Sequence, residues 1–260
     1  MLLAIDAGNT NVVFAVYDGS RQLGLWRIST LENRTSDEYA VWLTHLLKLR
    51  SIRPLDIAGA IIASVVPTAT WQLRRLCREH FNCDPLVVGA PNVDLGIEVK
   101  LDQPNEVGAD RIVNAVGAQL RFPPPLIVID FGTATTFDVV DDDGAYAGGV
   151  IAPGINLSLD ALFMAAAKLP KVEIEPVQQI IGTGTVSAMK SGIFWGYIGL
   201  IEGLVARIKA EYGERSRKPM TVVGTGGLSK IFHRQTAAID HTDGDTTLRG
   251  LVTIYERNKR

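Results

Sequence analysis

Residues 5–19 read IDAGNTNVVFAVYDG, and residues 129–144 read IDFGTATTFDVVDDDG. Each stretch begins as an apolar strand ending in Ile-Asp and turns through a glycine and short hydroxyl or amide residues. Each then enters a second strand rich in Val and Phe and finishes in Asp-Gly. Asp-Gly after such a run signals a hairpin, so third strands are expected at 22–28 and 145–151. Asp6 and Asp130 stand about half the chain apart. An internal repeat decides architecture ahead of any local signal. Two copies in the same order predict two lobes of related fold, 1–120 and 121–260.

The rest of the chain supplies helices between strands. Apolar periodicity places helices at 35–49, 67–80, 107–122, 155–168, 185–212 and 247–257. Thr35 or Ser36 is the expected cap of the first. Buried strands are expected at 58–66, 85–89 and 220–223, the last running into Gly224-Thr225-Gly226-Gly227. The stretch 90–106, rich in Pro, Asn and Asp, reads as a surface connection. Strands alternating with helices give an α/β class, each lobe a mixed sheet flanked by helices.

Composition narrows the partners. Of 260 residues, 47% are hydrophobic and 21% charged, with a net charge of -2 and a pI near 6.1. No broad basic field exists to hold nucleic acid or an anionic membrane. Cys77 and Cys83 match no paired metal or redox spacing and read as reduced, partly buried residues beside a helix. His45, His80, His233 and His241 are scattered, which argues against zinc. The N-terminus lacks a basic leader and meets Asp6 early. The apolar run 192–201 is shorter than the roughly 20 residues that span a bilayer. A soluble, cytoplasmic protein is expected.

The chemistry gathers in the repeated turns. In Asp6-Ala7-Gly8-Asn9-Thr10-Asn11 a glycine lets the backbone turn sharply, and successive amides in such a turn can cradle phosphate oxygens. Asp6 sits badly beside phosphate unless a cation lies between, so it points to magnesium held directly or through water. Asp130-Phe131-Gly132-Thr133-Ala134-Thr135-Thr136 repeats the pattern, with Thr133 and Thr135 expected to aim hydroxyls into the same space. A plain polar turn is the alternative for either copy alone; two copies favour a clamp on a nucleotide tail. No GxxxxGK[ST] motif occurs, so the chain is not a P-loop kinase. The loop 224–227 could admit an adenine or ribose close to the backbone, or simply start a helix. Asp138, Asp141, Asp142 and Asp143 read as strand-end and turn residues.

Taken in order, DAGNTN at 6–11, EVGADR at 106–111, DFGTATT at 130–136, GGVIAPGI at 148–155 and GTGG at 224–227 resemble the type III pantothenate kinases. These belong to the superfamily of acetate and sugar kinases, Hsp70 and actin. The resemblance runs from Leu3 to the final TLRGLVTIYERN. It implies a ribonuclease H-like, actin-like ATPase fold with nucleotide in the cleft. It also implies ATP, with magnesium, at Asp6, Ala7, Gly8, Asn9, Thr10, Asn11, Val12, Val13 and Thr133. A monovalent cation, potassium or ammonium, is implied at Asp130, and pantothenate at Gly108, Ala109, Asp110, Arg111 and Thr185. Asp110 would be the proton acceptor, and the assembly a homodimer. The chain departs from the family at Leu101, where a substrate-contacting tyrosine is common; leucine keeps apolar contact but loses the hydroxyl.

The residues themselves agree with that reading. Gly108 and Ala109 let a substrate approach the chain, Asp110 near a helix start is expected to stay ionised, and Arg111 can pair with a carbonyl or carboxylate. The rivals are another small-molecule kinase on the same fold and a non-catalytic regulator resembling accessory factors of this family. The helix at 185–212 is apolar around more of its circumference than one lobe covers: Ile193, Trp195, Tyr197, Leu200 and Leu204 share no single stripe. With Ser191, Gly192, Gly196 and Gly199 allowing close approach, it is the expected dimer contact.

Overall fold

The computed structural model describes residues 1–165, 172–216 and 218–259. The chain divides into two units, Met1–Leu120 with Asp245–Arg260, and Arg121–Gly244.

The first unit is built on strand β1 (Leu2–Ala7), which is apolar to its penultimate residue. It pairs antiparallel with β2 (Asn11–Asp18), which pairs antiparallel with β3 (Arg21–Ser29). On its other side β1 pairs parallel with β4 (Gly59–Ser64), followed by the short β5 (Leu86–Val87), giving the order β3-β2-β1-β4-β5. Helices α1 (Ser36–Leu49) and α2 (Pro67–His80) cover one face, closing a core of Leu3, Ile5, Phe14, Tyr39, Leu43, Leu73 and Leu76. Thr35 is the cap of α1: its side chain accepts from the Glu38 amide, and Glu38 accepts in return from the Thr35 amide, a reciprocal capping box. Cys77 lies buried on α2 and Cys83 half-buried just beyond, both free thiols. Helix α3 (Ala109–Gln119) packs against β4.

The second unit repeats the plan. Strands β6 (Leu126–Phe131), β7 (Ala134–Val140) and β8 (Tyr146–Pro153) form an antiparallel series, and β9 (Thr221–Gly226) joins β6 in parallel with β10 (His241–Thr242) beyond it. The order is β10-β9-β6-β7-β8, the same topology as the first sheet. The repeat extends to a defect: the ladder shifts register at Val16/Tyr17 between β2 and β3, and at Val139/Val140 between β7 and β8. Bulges are specific features that increase local twist, so a matched pair is strong support for related halves. Helices α4 (Ile155–Ala165), α5 (Thr185–Gly213) and α6 (Ser229–His233) complete the unit. Its core joins Ile127, Ile129 and Phe137 to Phe194, Tyr197, Ile198 and Ile201. Phe232 stacks on Phe131 with ring centres 5.1 Å apart. Residues 166–168 of the helix expected at 155–168 lie outside the described residues.

Two sequence expectations change. First, α5 is 29 residues long and apolar enough to cross a bilayer by length and composition, although its most apolar short run is brief. One side of it is packed into the second core: Phe194, Tyr197, Ile198 and Ile201 are buried, and Ile193, Trp195, Leu200 and Leu204 lean on the same cluster. The side chains expected to reach a partner are thus largely spent within the unit. Along the middle of α5, beside these packed side chains, Gly192, Gly196 and Gly199 are exposed.

Second, the closing helix α7 (Thr246–Asn258) belongs with the first unit, although the repeat assigns it to the second lobe at 121–260. The reason is a backbone-to-backbone contact with α3. A Cβ on Gly117 would lie 2.0 Å from the Thr246 carbonyl oxygen, and one on Gly250 would lie 2.0 Å from that of Val113. Only glycine fits at both places. Beside them the Thr247 hydroxyl donates to the buried Asn114 side chain at 2.6 Å. Replacing Gly250 with valine must push the two helices apart. Urea unfolding should show a loss of about 1–3 kcal/mol, the usual cost of overpacking.

Candidate active site

The first hairpin emerges at the end of β1. Asp6 pairs with Val13 and Ala7 with Val12, leaving Gly8, Asn9, Thr10 and Asn11 as the turn. The Gly8 amide donates to the Asn11 carbonyl at 3.0 Å. Thr30, at the end of β3, fastens the turn from outside: its hydroxyl donates to the Gly8 carbonyl at 2.7 Å and its amide to that of Thr10 at 2.9 Å. Three turn carbonyls are therefore held inward, and the side chains of Asn9, Thr10 and Asn11 are exposed. Such a turn offers amides and short donors outward, the requirement for phosphate. Thr30 carries no motif and escapes a reading of the sequence. Val13 is half-buried, whereas Val12 is fully buried in the first core, so only its backbone is at hand for a ligand.

In the second hairpin Asp130 pairs with Thr136 and Phe131 with Thr135, leaving the shorter turn Gly132, Thr133 and Ala134. The Gly132 amide donates to the Ala134 carbonyl at 3.1 Å, and the Gly154 amide to the Thr133 carbonyl at 3.0 Å. Thr133 is exposed. Thr135 is not beside it: alternation turns Thr135 into the core, where its hydroxyl bonds that of Tyr197. The threonine that shares a sheet face with Asp130 is Thr136, its register partner.

Asp138 lies on that face too, and it is no turn residue. It is fully buried, accepting from the Tyr146 hydroxyl at 2.8 Å and from the Thr136 hydroxyl at 2.8 Å. Asp141 does shape the β7–β8 turn, accepting from the Asp143 and Ala145 amides. On the opposite side of Asp130 stands Thr225 of β9, its parallel partner. Its hydroxyl is buried and has no hydrogen-bond partner among the described residues. Gly226 follows with φ of +86°, and a Cβ there would come within 2.6 Å of the Asp130 carboxylate. The loop 224–227 thus ends β9, bends around Asp130 and starts α6.

Asp110 stands in the first turn of α3 with Gly108 as its cap. A Cβ on Gly108 would sit 2.6 Å from an Asp110 carboxylate oxygen and 3.4 Å from Val65. The Val65 amide donates to the Ala7 carbonyl, so Asp110 lies at the same edge of the first sheet as the Gly8–Asn11 turn. The Arg111 amide donates to the Asp110 carboxylate at 2.8 Å. Burial nonetheless pushes this carboxyl above the usual aspartate range, outweighing that bond and the Arg111 guanidinium. Ala109 and Arg111 flank it half-buried, and Leu101 is half-buried in the segment before α3. Thr185 is exposed at the first turn of α5, in the second unit. The structure gathers Asp6, residues 8–13 and Asp110 in one unit, and Asp130, Thr133 and Gly226 in the other.

Two sheets of identical order, each ending its central strand in an aspartate followed by a glycine turn, define the actin-like fold of sugar and acetate kinases. Solved structures agree. A protein from Sinorhizobium meliloti assigned as a 2-dehydro-3-deoxygalactonokinase superposes with a TM-score of 0.63 at 12% identity, covering 99% of this chain and 96% of that one. A Baf family protein from Campylobacter jejuni gives 0.61 at 17% identity, covering 98% of both. Curated relatives are far nearer. The type III pantothenate kinase of Paramagnetospirillum magneticum is 61% identical over 258 residues, 99% of this chain and 98% of the relative. That of Rhodospirillum centenum is 58% identical, covering 99% of each. The family profile for type III pantothenate kinase matches residues 2–207. The chain belongs to the type III pantothenate kinase family.

Gly226 gives this geometry a direct test. Alanine there meets both a left-handed backbone and the Phe131 main chain within 3 Å. Gly226→Ala should lower unfolding free energy by about 2 kcal/mol, read by urea titration. An unchanged value would mean that the turn around Asp130 is not tight.

Proposed function

We propose that this chain transfers the γ-phosphoryl group of ATP to the primary hydroxyl of pantothenate, forming 4'-phosphopantothenate in coenzyme A biosynthesis. The observation that carries the reading is full-length likeness to type III pantothenate kinases. Transfer of this kind is mostly positioning and charge neutralisation. The Gly8–Asn11 turn and Thr133 hold the phosphates of ATP. Asp110 accepts the hydrogen bond of the attacking hydroxyl and takes its proton as the bond to phosphorus forms. Gly108 keeps the Asp110 carboxylate where a side chain would displace it. Arg111, Ala109, Leu101 and Thr185 bind pantothenate, Leu101 by apolar contact alone.

Magnesium at Asp6, directly or through water, and potassium or ammonium at Asp130 would offset phosphate charge when bound. Both residues fit the role, as carboxylates at strand ends whose neighbours offer hard oxygen donors. The low net charge of -2 gives no broad basic field for nucleic acid or an anionic surface, in keeping with a soluble enzyme of small-molecule metabolism.

A homodimer completes the reading. The exposed surface of α5 includes Gly192, Gly196 and Gly199, at which an added Cβ meets nothing within 4 Å among the described residues. Nearby in sequence, α4 and the α5 approach expose Leu157, Phe163, Met164 (76% exposed), Ile180 and Ile181. Exposed apolar surface of this extent marks association, and a helix with glycines outward accepts a second backbone closely.

Two measurements test these roles. Asp110→Asn should fold normally yet lose roughly 10²–10⁴-fold in turnover, the range of a positioned base. The base works as the carboxylate. Since burial raises its pKa, the acid limb of kcat/KM should fall above the ordinary aspartate value of about 4. Retention of half the wild-type rate by the variant would refute the assignment. For the dimer, Gly196→Arg adds bulk where the single chain has open space, so the fold should survive and light scattering should show a mass near 28 kDa where the wild type shows twice that.

A further inference from the structure

Three side chains stand in a row across the second sheet. Thr136 and Thr225 are the register partners of Asp130 on its two flanking strands. Partners at one level of a sheet project their side chains to the same face, from strands roughly 4.8 Å apart. The row therefore presents hydroxyl, carboxylate, hydroxyl.

The two hydroxyls are in unusual states. Thr136 has its proton committed: it donates to Asp138 at 2.8 Å, and Asp138 is itself fixed by the Tyr146 hydroxyl. Toward anything on the Asp130 side it can only accept. Thr225 is 1% exposed, and its hydroxyl has no partner among the described residues. Leaving a buried hydroxyl unsatisfied is costly, and each such group calls for an explanation. Gly226, just beyond, removes the side chain that would otherwise press on the Asp130 carboxylate.

We infer that Thr136 and Thr225 are further ligands of a monovalent cation held at Asp130, each giving a hydroxyl lone pair, with Asp138 and Tyr146 holding Thr136 in its accepting orientation. The inference rests on the cation reading of Asp130 and extends it to a ligand set. The charge of the row fits: one carboxylate and two neutral oxygens match a single positive charge. Magnesium prefers carboxylates, phosphates and retained waters in near-octahedral array. The rigidity fits as well, since all three ligands belong to paired strands, so the site is formed by the sheet itself.

Thallium(I), a potassium mimic, reports binding directly. The full chain is titrated by calorimetry, with and without a non-hydrolysable ATP analogue, and melting is followed in potassium, sodium and choline chlorides at equal ionic strength. The wild type should bind thallium and melt higher in potassium than in choline, and Asp130→Asn should do neither. Thr225→Val and Thr136→Val should each bind thallium about tenfold more weakly or worse, whereas Thr225→Ser, which keeps the hydroxyl, should bind within a few-fold of the wild type. In choline, Thr225→Val should melt no lower than the wild type, because a methyl replaces an unpartnered hydroxyl. That readout separates a lost ligand from a damaged fold, and a lower melting point there would overturn the assignment of Thr225. Wild-type affinity in Thr225→Val together with loss in Asp130→Asn would overturn the ligand set but leave the cation at Asp130. Absence of thallium binding by the wild type under both conditions would remove the cation reading and this inference with it.

Discussion

Strand alternation under double burial is the constraint on which this structure turns. In both sheets the central strand is buried on both faces until its last residues: Leu2 to Ile5 and Leu126 to Ile129 are all buried. A charge within such a strand would be left without water. The first level at which a carboxylate can stand is the strand end, where Asp6 and Asp130 sit. The turn that follows must reverse the chain sharply, and a glycine opens it two residues after each aspartate, at Gly8 and Gly132. Alternation then sorts the neighbours. Thr135 is drawn into the aromatic core with Tyr197, and Thr136 is turned onto the face of Asp130. A slip of one residue would exchange them, and the β6–β7 ladder runs from Leu126 to Phe131 without a shift in register.

Asp110 depends on a different contact. It is not on a sheet but on α3, and α3 is held by α7 through glycines that bring their main chains together. The helix at the end of the chain thereby fixes the residue assigned as base. Burial at this place raises the carboxyl pKa, moving the group toward the range where a base at neutral pH gains driving force without staying protonated.

Much of this is legible in the sequence. The repeat encodes the two lobes and the two aspartates, because hairpins are local and their turn chemistry is written in adjacent residues. Helix limits read closely for the same reason, and Thr35 is visible as a cap of α1. What stays hidden is long-range. Nothing near Thr30 says that it will fasten the Gly8 turn, nor does anything near Thr225 place it beside Asp130, since parallel pairing of β9 with β6 joins residues far apart in sequence. Asp138 looks like a turn residue because it stands among Asp141, Asp142 and Asp143, whereas Tyr146 makes it a buried acceptor. Repeat order assigns α7 to the second lobe, and only the glycine contact with α3 reveals its place.

That placement divides the two halves by timing. The second unit is continuous in sequence, so all its strands and helices have been synthesised by the time Gly244 leaves the ribosome. The first unit is not: its opening strands are made earliest, yet a face of β1 and β4 waits for α7. Domains tend to fold as units during synthesis, in order from the N-terminus. Here the earlier half must remain incomplete while the later one forms, exposing apolar surface on the nascent chain until the final helix arrives. Docking of α7 is thus the step that completes the first unit.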